Sequence, residues 1–233
     1  MAVAKGRSCA MVELDSLKET LENMVDFTET RFNDTINSLK ANIFDIEHDD
    51  SIDNEERKSA LEPYFSELEK YQFQRYSSRN NYIICIYSIC ESVLASICAD
   101  NNIKLLKETN SKREPKQCSN TNGRKNKANV NYYMNDYLYS LNPKYRDEWT
   151  DAFVVSTAVK KLRNYLTHGK TDRKKASIIA GELSQHGLNT ISQVNGEIKI
   201  QNTESLHSIL KLCCKMLVVA EQKAKEKSIK ENK

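Results

Sequence analysis

The chain has 233 residues, of which 39% are hydrophobic and 29% are charged, with only six glycines and three prolines. A chain of this length suits one sizeable domain, and this composition argues against both a disordered protein and an all-β sandwich. The net charge of +3 is too small to demand a nucleic-acid partner and too positive to exclude one. We therefore expect a charged, helix-rich soluble protein.

Two features of the sequence indicate its compartment. The first ten residues contain no apolar stretch of signal-peptide length, which favours a cytoplasmic protein. The most apolar window, residues 82–99, includes Glu91, and because a membrane span rarely tolerates an acid, we interpret it as a core helix and expect no membrane association. Seven cysteines, an odd number without the spacing of a zinc site, predict buried free thiols in a reducing compartment and no metal or other cofactor. They are Cys9, Cys85, Cys90, Cys98, Cys118, Cys213 and Cys214.

The N-terminal part of the chain has the pattern of long amphipathic helices. Apolar residues recur every three or four positions over residues 12–46, which predicts one long helix. A polar break follows at residues 48–51. A second helical pattern then contains Pro63, which fits best in a first turn or at a kink because proline lacks a backbone N–H.

Polar residues 77–81 either interrupt the chain or begin a third helix that continues to about residue 106. We divide the sequence at this point. Residues 1–76 are expected to form N-terminal helices that pack on a helical core of residues 77–233, and both parts together are expected to form one compact domain.

A basic loop is predicted between the third helix and the next one. Its asparagines, glycine and proline are typical of loops, and tyrosines follow it closely in the sequence. Such a segment favours contact with an RNA backbone and stacking on bases, whereas an ordinary solvated loop is the alternative. The six basic residues that we expect to bind RNA are Lys112, Arg113, Lys116, Arg124, Lys125 and Lys127.

The C-terminal part of the chain combines helices with one short irregular segment. A helix that begins near Trp149 is predicted to end at His168, and a short helix follows at residues 176–183. An Asn-Gly pair within apolar residues 191–200 predicts a hairpin turn, and a last helix covers residues 204–224. The fold class is therefore predicted to be all-α, a helical bundle with a small irregular or hairpin insertion before the last helix.

Arg163 and His168 are the residues whose types and spacing suggest chemistry. On a continuous helix they lie roughly 140° apart, so they converge only if the helix ends between them. Gly169 favours such an ending. Histidine exchanges protons near neutral pH, and arginine presents a planar fork of donors that matches phosphate oxygens. The pair therefore suggests phosphate-ester chemistry without a metal, although a histidine that merely caps the helix is the alternative.

The string Lys161-Leu162-Arg163-Asn164-Tyr165-Leu166-Thr167-His168-Gly169 resembles the signature of the HEPN family, in which an arginine, often followed by a polar residue such as asparagine, precedes a histidine at a short fixed interval. Residues 79–92 similarly resemble that family's earlier helix, where an acidic or polar residue faces the signature, and Glu91 matches that position. The resemblance covers about residues 77–220 in helix order, but its specific motifs are confined to these two segments.

The resemblance implies a helical homodimer in which two signatures face each other across a cleft. It implies RNA cleavage by attack of the ribose 2′-hydroxyl on the adjacent phosphate, with His168 as general acid or base and Arg163 as the phosphate ligand. Asn164 would orient His168 or the substrate, and Glu91 would pair with Arg163 or fix its rotamer. Many members of the family are toxins or antiviral defence effectors, for which an antitoxin or sensor protein is a further partner.

We therefore expect a cytoplasmic, metal-independent endoribonuclease. Two alternatives stay open from the residues alone. One is a catalytically inactive HEPN-like protein that binds nucleotides or serves as a scaffold, and the other is an adaptor with no role in nucleic-acid chemistry.

Overall fold

The computed structural model describes residues 9–100, 158–168, 172–189, 191–194 and 197–231. The fold of these residues is all-α, a helical bundle with one two-stranded sheet before the last helix, as predicted. The RNA-binding residues predicted between residues 112 and 127, and the tyrosines after them, lie outside the described residues. The elements are α1 (Cys9–Glu47), α2 (Asn54–Asp100), α3 (Lys160–His168), α4 (Arg173–Gln185), β1 (Ile191–Val194), β2 (Glu197–Ile200) and α5 (Thr203–Glu231).

The polar break predicted after the first helix is confirmed, and its side chains define the start of α2. The carboxylate of Asp53 accepts hydrogen bonds from the backbone N–H groups of Glu55 at 2.8 Å and Glu56 at 2.9 Å. Glu56 in turn accepts from the backbone N–H of Asp53 at 3.4 Å. This reciprocal capping satisfies N–H groups that a helix terminus otherwise leaves without acceptors, so α2 begins directly after Asp53.

Helix α2 is one continuous element of 47 residues that includes residues 77–81. The prediction of two separate helices with a junction in this segment is therefore wrong. The physical reason is tertiary packing: Arg79 and Ile83 are both buried, and such contacts outweigh the weak helix propensity of serine and asparagine. Pro63 lies inside α2 rather than in its first turn.

One hydrophobic cluster includes residues from every helix. Leu21 of α1, Leu94 of α2, Leu162 of α3, Leu183 of α4 and Leu217 of α5 are all members and are at most 5% exposed. Since α1 contributes to the same cluster as the C-terminal helices, it packs on the core rather than extending away from it. This packing holds α3, which contains the candidate site, against α2.

The hairpin predicted before the last helix is confirmed by the pairing of β1 with β2. The two strands are antiparallel, with Ile191 opposite Ile200 and Val194 opposite Glu197. Ile198 and Ile200 are buried, so one face of β2 packs on the helical core. Residues 195–196, where the turn was predicted, lie outside the described residues.

Four cysteines whose side chains are described are free thiols. Cys90 and Cys213 are buried, in agreement with the prediction, and Cys214 is half-buried. A hydrogen bond with Cys213 and burial raise the pKa of Cys90. The expected burial is wrong for Cys85, which is exposed because it lies on the solvent side of α2, between the buried residues Ile83 and Ile86.

One stretch of α2, Asn54–Ile97, is long and apolar enough by length and composition to cross a membrane, and 33% of its most apolar window is buried within the fold. The core helix of a soluble protein passes the same test. The cytoplasmic location and the absence of membrane association stay predictions.

Candidate functional site

The candidate site lies on the part of α3 that faces away from the core. Leu162, Tyr165 and Leu166 are buried and fix the rotation of α3 about its own axis. This rotation leaves Asn164 and His168 exposed. Because helical positions four residues apart share a face, these two polar side chains lie next to each other along the helix.

Arg163 connects this surface to α2. Its Nη2 donates a hydrogen bond to Oε2 of Glu91 at 2.7 Å, and the exposed fractions of the two side chains are 18% and 16%. Its Nη1 donates to Oδ1 of Asn164 at 2.9 Å. The implied pairing of Glu91 with Arg163 is therefore present in the structure, and the ion pair keeps some contact with solvent.

Tyr87 lies below the guanidinium of Arg163 and completes its surroundings. The Cζ atom of Arg163 is 5.3 Å from the centroid of the Tyr87 ring, a distance at which a cation is attracted to an aromatic face. Tyr87 is fully buried. Burial and the charge of Glu91 raise the pKa of its phenol, so Tyr87 is neutral. Glu91 and Tyr87 together hold the guanidinium in one orientation.

His168 is the last residue of α3, and the helix is continuous from Lys160 to this position. The predicted end of this helix at His168 is therefore confirmed, but the helix does not end between Arg163 and His168, so the expected convergence of the two side chains is wrong. Leu166 is buried at 3% exposure, and Thr167 Oγ1 donates to the carbonyl oxygen of Arg163 at 2.8 Å, so packing and hydrogen bonding keep the last turn helical. Within one chain, Arg163 and His168 are about 140° apart around α3.

Sequence reasoning missed a second charged cluster, which is buried between α1, α2 and the end of β2. Nε and Nη2 of Arg79 donate to the two carboxylate oxygens of Glu29, both at 2.7 Å, and Arg75 donates to the same carboxylate at 2.8 Å. Nη1 of Arg79 donates to the backbone carbonyls of Ile200 at 2.8 Å and Gln201 at 2.6 Å. Arg79 is only 1% exposed, so we assign this cluster a structural role.

A signal for that cluster is present in the sequence. Glu29 occupies a core position of the α1 spacing, four residues after Val25, and Arg79 precedes Ile83 of the α2 core by four residues. A charged residue at a core position requires a buried partner. Periodicity does not identify which residue that partner is.

The described residues contain no group of three or more histidine, cysteine, aspartate or glutamate side chains that could hold a metal ion. No protein-family model, no curated protein and no solved structure matches the chain. Support for any function therefore comes from the signature residues and from the geometry around them.

Proposed function

We propose that this protein is a metal-independent endoribonuclease of the HEPN type, and that it acts as a toxin or an antiviral defence effector. The observation that supports the proposal is the hydrogen bond between Arg163 and Glu91, residues 72 positions apart in the sequence. The resemblance implied this contact between its two motif segments. Composition and helical periodicity give no reason to expect it.

The proposed reaction uses the ribose of the substrate as the nucleophile. The 2′-oxygen forms a bond to phosphorus and the bond between phosphorus and the 5′-oxygen breaks, which leaves a 2′,3′-cyclic phosphate and a 5′-hydroxyl. His168 transfers the proton at the nucleophile or at the leaving group. Arg163 stabilises the charge that develops on the phosphate oxygens. Since the C-terminal end of a helix repels anions, Arg163 has to supply the attraction for the phosphate.

The divergence of Arg163 and His168 on α3 requires a dimer in this proposal. Two copies related by a two-fold axis bring equivalent surfaces together, so His168 of one chain faces the α3 surface of the other. One imidazole then serves as the base and the other as the acid, since a single histidine cannot easily do both in one step. Asn164, on the same face as His168, orients the histidine or the substrate.

The test is incubation of the purified protein with total RNA in the presence of EDTA, followed by mapping of the fragment ends. We expect cleavage with cyclic phosphate ends, and we expect that His168→Ala abolishes it while the circular dichroism spectrum and the dimer persist. His186→Ala is the matched control, because His186 is also exposed and also lies at the C-terminal end of a helix. Cleavage by His168→Ala at the wild-type rate would contradict the proposal.

A second candidate is a HEPN-like protein that binds nucleotides or RNA without cutting. Its supporting observation is that both Nη atoms of Arg163 already donate hydrogen bonds within the chain, to Glu91 and to Asn164. A guanidinium neutralised in this way attracts a phosphate more weakly than an unpaired one. Retention of intact RNA on the protein in a filter-binding assay, with no cleavage in the same sample, would favour this candidate.

A further inference from the structure

A cavity of about 410 Å³ lies between α2, the C-terminal half of α3 and β2. This volume is in the range of sites that bind small molecules. Its lining includes Tyr165 of α3, which precedes His168 by three residues. At the helical rise per residue, that separation is about 4.5 Å along the helix axis. The cavity is therefore at the end of α3 that carries the proposed catalytic histidine.

Three of the described residues that line this cavity are aromatic. Phe73 and Tyr76 of α2 line it together with Tyr165. Phe73 is 73% exposed, so its ring is available to a ligand. Nζ of Lys199 also lies 5.1 Å from the centroid of the Tyr76 ring. Aromatic faces of this kind stack on any planar heterocycle.

Polar groups accompany the aromatic wall. Asn80 lines the cavity, and within the described part of the chain its buried side-chain oxygen accepts no hydrogen bond. A buried acceptor without a partner costs free energy, and an N–H donor of a ligand would satisfy it. Amide side chains are among the groups that proteins use to recognise the edges of nucleobases.

The charges at the cavity argue for a neutral ligand group. Among the described residues that line it, Glu69 and Glu197 are acidic and Lys199 is basic. Two acids and one base disfavour a phosphate, whereas a nucleobase has no charge at neutral pH. We propose that this cavity is a subsite that holds one unstacked nucleobase of the RNA substrate, with the phosphate outside it near Arg163. This identification of the ligand rests on the proposed function.

The experiment is saturation-transfer NMR on the full chain with adenosine, guanosine, cytidine and uridine as probes, and with ribose 5-phosphate as a probe that lacks a base. We expect at least one nucleoside to bind and ribose 5-phosphate not to bind. Phe73→Ala is expected to weaken nucleoside binding about tenfold, the usual effect of losing one stacking partner. Phe44→Ala is the matched control, since Phe44 is 58% exposed on α1 and does not line the cavity.

Because Phe73 is exposed, its replacement leaves the core intact, and an unchanged circular dichroism spectrum verifies this. The inference is overturned if no nucleoside binds, if ribose 5-phosphate binds equally well, or if Phe73→Ala binds nucleosides like the wild type. Nucleosides contain no bond that the proposed reaction breaks. A protein that binds them but leaves RNA intact therefore refutes the ribonuclease alone, and a protein that cuts RNA but binds no nucleoside refutes this subsite alone.

Discussion

Two ion pairs in this protein join the same residue types, and α2 contributes to both. Arg79 of α2 binds Glu29 of α1, and Glu91 of α2 binds Arg163 of α3, each with a hydrogen bond of 2.7 Å. The first pair is enclosed, with 2% and 8% of its side chains exposed. The second keeps 18% and 16% exposed, at the surface that also presents Asn164.

The difference in exposure distinguishes a pair with a structural role from a pair that a ligand can reach. The three nitrogens of the Arg79 guanidinium donate four hydrogen bonds to Glu29 or to backbone carbonyls, and Arg79 is 1% exposed, so a ligand does not reach this group. Among the described residues, Arg163 donates from Nη1 and Nη2 only. The hydrogen-bond lengths do not distinguish the two pairs, but their surroundings do. Four predictions test this distinction, in order of decreasing effect on stability.

Replacement Arg79→Ala is expected to lower the free energy of unfolding by about 3 kcal/mol or more, because the buried carboxylate of Glu29 loses its hydrogen bonds from Arg79 and keeps only the one from Arg75. Urea denaturation followed by circular dichroism measures the change. A loss below about 1 kcal/mol, the usual value for an exposed pair, would show that this cluster does not stabilise the fold as its burial indicates.

Acidification is expected to reduce stability through the same cluster. Burial alone would raise the pKa of Glu29, but the hydrogen bonds and charges of Arg79 and Arg75 outweigh burial and hold that pKa below its usual range. The stabilisation is therefore complete above the unfolded-state pKa of about 4.3 and is lost as the pH falls through the lowered folded-state pKa. Urea denaturation across this range should show a steeper decline for the wild type than for Glu29→Gln, and equal slopes would refute the assignment.

Replacement Glu91→Gln is expected to cost only about 1.5 kcal/mol of stability, because water reaches both partners and the amide retains a hydrogen bond. RNA cleavage should nevertheless fall by roughly ten- to a hundredfold, since Arg163 loses the group that fixes its orientation. Glu182→Gln is the matched control, because Glu182 pairs with Lys161 on the same helix α3. Unchanged cleavage by Glu91→Gln would show that the pair has no part in catalysis.

Replacement Lys161→Ala is expected to have the smallest effect, under about 1 kcal/mol. Its ammonium lies 2.6 Å from the Glu182 carboxylate, the shortest of the three distances, yet the side chains are 52% and 31% exposed. Urea denaturation compares this variant directly with Arg79→Ala. A larger loss of stability from Lys161→Ala than from Arg79→Ala would mean that exposure does not determine how much each ion pair stabilises this protein.

Hydrophobic periodicity is sufficient to predict most of the helices. The spacing of Leu21, Ile36 and Leu39 is a local property of the sequence, so α1 was predicted within a few residues of its observed bounds. The continuity of α2 was not predictable in the same way. It depends on Arg79, whose partners lie 50 and 121 positions away in the sequence and are brought together only by the fold.

The candidate site, like α2, could be predicted from the sequence only in part. The types of Arg163, Asn164 and His168 are visible in the sequence, and the resemblance implied the contact of Arg163 with Glu91. The end of α3 at His168 was predicted correctly, but the expected convergence of Arg163 and His168 was wrong, because the helix is continuous through the buried Leu166 and keeps the two residues about 140° apart. The aromatic cavity was missed because its walls come from three elements that are distant in the sequence.

Cleavage chemistry is the central claim, and the most direct measurement uses one RNA oligonucleotide that the protein cuts at a known position. A second copy carries a 2′-deoxyribose at that position, and both are incubated with the purified protein and EDTA before mass spectrometry of the products. We predict a 2′,3′-cyclic phosphate and a 5′-hydroxyl from the first oligonucleotide, and no cut at the substituted position of the second. Equal cleavage of both, or products that carry a 5′-phosphate, would contradict the mechanism.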